Sequence, residues 1–134
     1  MSNDSSKFHW EQGNKNAIEG IKLLFILNGA SAVAILTFVG NAKMYSDAFV
    51  FSMVFFALGA VTGIVTMIFA YLTNLHYGNA EASSAPNARE TAGGTALKWH
   101  NATYVCAGLG ILFFMFGVGF AAYGIHVKPT CFVT

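Results

Sequence analysis

Residues 102–127 read ATYVCAGLGILFFMFGVGFAAYGIHV, and this stretch decides the architecture. It contains no Asp, Glu, Lys or Arg. A helix rises about 1.5 Å per residue, so about 20 apolar residues cross the ~30 Å hydrocarbon core of a bilayer. The stretch exceeds that length. Two further uncharged runs precede it, one bracketed by Lys22 and Lys43, the other by Asp47 and Glu81. With 55% hydrophobic and 10% charged residues, the chain reads as an integral membrane protein.

Backbone inside lipid must satisfy its own hydrogen bonds, which leaves helices or a closed barrel. Barrel strands alternate apolar and polar residues. Phe49 to Phe56 and Ile111 to Phe116 show no such alternation, so the runs are helical. The expected fold is all-α: three transmembrane helices, up-down-up, over residues 18–39, 47–75 and 102–127, forming one domain from 18 to 134. Residues 1–17 read as a polar N-terminal helical extension, with Gly40 and Asn41 placed to cap the first span. Asp47 suits the start of the second, where a carboxylate meets the positive end of the helix dipole. Residues 76–101 read as a linker, flexible over Gly78 to Gly94, where Ala, Ser, Asn, Gly and Pro86 predominate.

Small side chains fall in register within the spans. Lipid tails are as apolar as leucine, so membrane helices are held by close backbone approach and buried polar bonds. In the third run Thr103, Ala107, Gly110, Phe114, Gly117, Ala121 and Gly124 share one face. Its glycines recur every seven residues, a spacing that keeps a stripe facing one partner. The second run places Ser52, Phe56, Gly59, Gly63, Thr66 and Ala70 on one face, and the first clusters Gly29, Ala30, Ser31, Ala32 and Ala34. Gly29, Gly59, Gly63, Ala107, Gly110, Gly117, Ala121 and Gly124 are the expected helix-packing positions. Packing within one three-helix bundle and self-association between copies are compatible uses of them. Phe113, Phe116 and Phe120 are expected to cover the remaining faces.

Asn28 is the strongly polar side chain deep in the first span, with Ser31 one turn on. An amide in hydrocarbon is unfavourable unless bonded, so Asn28 should face another helix. Thr62 and Thr66 can bond carbonyls one turn back in their own helix. No Asp, Glu, Lys or Arg lies deep within the spans, which argues against proton relays and ion-coupled transport by this chain alone. A passive pore needs no such group.

His76 and His100 would lie on one side of the membrane and are weak haem candidates. No HxxxH or HxxE spacing supports a metal site, and neither metal nor cofactor is expected. No GxSxG, P-loop or metalloprotease helix is present, and Cys106 has no diagnostic His or Asp partner, so no enzyme is expected. A net charge of +1 offers no basic cluster for nucleic acid. Cys106 and Cys131 do not make a disulfide framework. Residues 2–20 are too polar for a secretory signal, so the first run should persist as a helix.

Lys7, Lys15, Lys22, Arg89 and Lys98 fall on one side, Lys43 and Lys128 on the other. That asymmetry places the N-terminus in the cytoplasm and the C-terminus outside, as in a bacterial inner membrane. The expected partners are the lipid bilayer and either further copies of the chain or a larger membrane complex. Phage holins and small membrane effectors have this size and helix count, an analogy of architecture only. The first expectation is a self-associating, holin-like or effector-like protein that forms a pore or perturbs the membrane. The alternative is an accessory or assembly subunit of a larger membrane complex.

Overall fold

The computed structural model describes residues 2–42, 44–127 and 130–131, with side chains over 15–42 and 46–127. Three long helices follow in chain order: α1 (Ser2–Ala42), α2 (Asp47–Ala82) and α3 (Pro86–His126). All three are long and apolar enough to cross a membrane. The fold is the all-α, three-helix membrane architecture expected from the hydropathy. One small addition joins its ends. Strands β1 (Met44–Tyr45) and β2 (Thr130–Cys131) pair antiparallel, with Met44 opposite Cys131 and Tyr45 opposite Thr130. The bridge ties the α1–α2 turn to the segment after α3, so those ends lie together, as an up-down-up path requires.

Local chemistry accounts for the helix boundaries. Ser46 is the N-cap of α2, its hydroxyl accepting from the Ala48 N–H at 3.3 Å, and Asp47 follows in the first turn. Pro86 opens α3, where its missing N–H and fixed φ cost nothing. Gly40 and Asn41 do not end α1 as expected; the helix runs through both to Ala42. The N-terminal extension is continuous with the first span, so α1 is a single helix.

The larger correction concerns residues 76–101. No flexible linker lies there: α2 continues to Ala82, α3 begins at Pro86, and only residues 83–85 are left as a turn. At the standard rise α2 and α3 are about 54 Å and 62 Å long, well beyond a ~30 Å hydrocarbon core. The two helices therefore form one antiparallel hairpin that continues past the hydrocarbon. Ala80 on α2 (8% exposed) and Ala96 on α3 (0%) are both buried in that continuation. Small residues that read as a coil also let two helices approach closely, and here Ala80 and Ala96 serve that purpose, whereas Gly78, Gly93 and Gly94 face open space.

The arrangement is centred on α2. A third of its most apolar window is buried in the chain, against 6% for α1. α2 packs against both other helices, whereas α1 and α3 meet only sparsely. The core is a thin seam: Phe49, Ser52, Phe56 and Thr66 of α2 and Asn28 of α1 are almost wholly buried. Leu23, Leu36 and Met115 are among the many large apolar side chains left outward, where lipid is their solvent.

Candidate functional site: the small-residue seam and its open groove

The α2–α3 seam follows a seven-residue rhythm on both helices. On α3 it takes Ala96, Gly110, Gly117 and Gly124, all buried, with half-buried Thr103 in step. On α2 it takes Ser52, Gly59, Thr66, Thr73 and Ala80, flanked by a second buried series at Phe49, Phe56 and Gly63. Seven residues make nearly two turns, so each series stays on one line facing its partner. Large meets small across the seam. A Cβ added at Gly117 would lie 2.7–3.0 Å from the Phe56 ring, and one at Gly124 would lie 2.9–3.2 Å from the Phe49 ring. Each glycine is the socket for a phenylalanine. At the same level as the first socket, the Ser52 hydroxyl donates to the Gly117 carbonyl at 2.8 Å, a buried bond between helices.

Beside the seam runs a phenylalanine ladder. Phe55 stacks on Phe120 at 5.4 Å and 9°, with Phe116 at 5.5 Å and Phe113 at 6.1 Å. Phe51 meets Phe120 at 5.7 Å. Phe113, Phe116 and Phe120 thus do not merely cover free faces; they flank the hairpin seam. Nearer its tip, Phe69 packs on Trp99 at 5.4 Å. Offset aromatic pairs of this kind add about 0.5–1.5 kcal/mol each beyond the area they bury.

α1 is held mainly around Asn28. This residue is fully buried, and its Nδ2 donates to the Leu24 carbonyl of its own helix at 2.9 Å. Its Oδ1 is buried without a conventional hydrogen-bond partner. That oxygen lies where a Gly59 Cβ would be, directly against the glycine's Cα hydrogens. Weak Cα–H···O contacts of this type recur where helices cross closely. Phe25 lies over Gly63, 3.2 Å from a Cβ built there, and Leu24 lies over Gly110, 2.8 Å from a Cβ built there. At the other end, Phe38 packs edge-on against Phe49 at 5.7 Å. Asn28 accordingly faces another helix, as hydrocarbon requires of an amide, and Ser31 is half-buried one turn on.

The remaining predicted positions divide. Gly59, Gly63, Gly110, Gly117 and Gly124 lie in helix contacts of the chain. Gly29 does not: a Cβ there would meet nothing within 4 Å. It stands one residue beyond Asn28 and is rotated off the line that faces α2. Ala121 is half-buried, and Ala107 is half-buried on the wall between α1 and α3.

That wall encloses an open groove of about 710 Å³. Ala17, Gly20, Leu24, Leu27 and Ala30 line one side, and Thr103, Tyr104, Ala107 and Ile111 the other. At one end the groove shares Ala17, Ile21, Thr103 and Tyr104 with a smaller cavity of about 60 Å³, which also takes in Thr73, Asn74 and His100. The His100 ring stands edge-on to Tyr104 at 4.8 Å. His76 is half-buried on α2 and does not line this cavity. Among the described residues, no three His, Cys, Asp or Glu side chains gather as a metal site needs. Cys106 is a free, half-buried thiol, and the Cys131 side chain lies outside the described residues.

Sequence reasoning missed the groove and the Ser52–Gly117 bond. The serine was visible in the α2 stripe, but nothing in one helix names the carbonyl opposite it. The groove is a gap left where α1 and α3 meet only sparsely, for which a sequence carries no signal. No protein-family model, curated protein or solved structure matches this chain.

Proposed function

We propose that this small multi-pass membrane protein acts by helix packing within a larger membrane assembly, as an accessory or assembly subunit. The observation that carries this reading is the placement of polar groups at membrane depth. Asn28, Ser52 and Thr66 are buried inside the chain. Thr37 and Thr62 return their hydroxyls to the Val33 and Leu58 carbonyls of their own helices at 2.8 and 2.7 Å. A polar pore lining would draw on such groups, and here Asn28, Ser52 and Thr66 are turned into the chain while the Thr37 and Thr62 protons are spent on their own helices. The α2–α3 hairpin adds support, because it extends beyond the bilayer as paired helix and offers a rigid surface to a partner.

The self-associating, holin-like pore is the second reading. The thin burial of α1 favours it, since a span with one covered face can take a neighbouring copy on another. The glycines of α3 support it less, because Phe49, Phe56 and Leu24 of the same chain fill their sockets. We place the protein in a bacterial inner membrane with its N-terminus in the cytoplasm, from the lysine and arginine asymmetry.

Native mass in mild detergent, together with dye release from liposomes holding the purified protein, separates the two readings. An accessory subunit carries a second polypeptide in fixed stoichiometry and leaves the dye sealed. A closed homo-oligomer that releases dye would overturn that assignment.

A further inference from the structure

We draw no further inference here: the strongest candidate, the open groove between α1 and α3, is lined almost wholly by apolar side chains, and nothing in the structure shows what covers it.

Discussion

α2 and α3 are joined along their length, whereas α1 is attached at a few levels. The hairpin seam repeats every seven residues from Phe49 and Gly124 at one end to Ala80 and Ala96 beyond the bilayer, with glycine, alanine or serine at most crossings. α1 is held where Asn28 enters the space left by Gly59, where Phe25 and Leu24 lie over Gly63 and Gly110, and where Phe38 meets Phe49. Residue size explains the difference. In a medium where burial of apolar surface gives no drive between helices, axes approach only where side chains are small, and only close axes gain dispersion and backbone contacts. The α2–α3 pair has that property over its length. Against α1 the small residues are Gly59 and Gly63 of α2 and Gly110 of α3, all near Asn28. The groove opens where neither α1 nor α3 is drawn to the other.

Substitutions at the seams break this comparison in a graded way. Gly117→Leu should have the largest effect, because its side chain would run into the Phe56 ring at the level where Ser52 bonds the residue 117 carbonyl. Overpacking of a tight site costs about 1–3 kcal/mol and sometimes more. Denaturation in mixed micelles would show it, and an unchanged midpoint would mean the hairpin is not held by its glycine sockets. Gly59→Leu should displace Asn28 and loosen α1 while the hairpin stays paired. Disulfide trapping between cysteines placed on α1 and α2 should fall, with α2–α3 trapping unaltered; equal loss of both would show that the three helices are one cooperative unit.

Ala96→Phe tests the continuation beyond the membrane. Its ring should part the helices near the tip and expose the 81–90 segment to limited proteolysis, with little change in the transmembrane seam. Resistance equal to the parent chain would place the strength of the hairpin elsewhere. Ser52→Ala removes one buried interhelical hydrogen bond, and such bonds in membranes average about 0.6 kcal/mol. A loss above about 1.7 kcal/mol would give that bond more weight than is usual in such proteins. Gly29→Ala sits at the other extreme. With open space around its Cβ it should be neutral to stabilising by up to about 1 kcal/mol through helix propensity alone. Destabilisation of the isolated chain would place Gly29 in a helix contact after all.

The hairpin seam was legible in part. Gly110, Gly117 and Gly124 declare a face because a seven-residue interval keeps them on one line, where the missing side chains let a second helix come close. Ser52, Gly59, Gly63 and Thr66 do the same for α2. Asn28 was legible as a buried group because an amide has nowhere else to go in hydrocarbon. The continuation through residues 76–101 was not. Glu81, Arg89, Glu90 and Lys98 end the hydropathic signal, and Gly78, Gly93 and Gly94 resemble coil, yet Ala80 and Ala96 continue the same interval past the end of that signal. The β1–β2 bridge is two residues on each side, too short for periodicity to register.

Hydropathy alone determined that three helices cross a membrane, because the cost of charge in hydrocarbon is local and each residue contributes it independently. The side-chain interval alone determined which faces of α2 and α3 carry small residues. The tertiary structure decided which phenylalanine fills which glycine, that Ser52 reaches the Gly117 carbonyl, and that α1 stands away from α3. Those outcomes depend on distances between helix axes, which are set by pairs of facing residues and so belong to no single stretch of the chain.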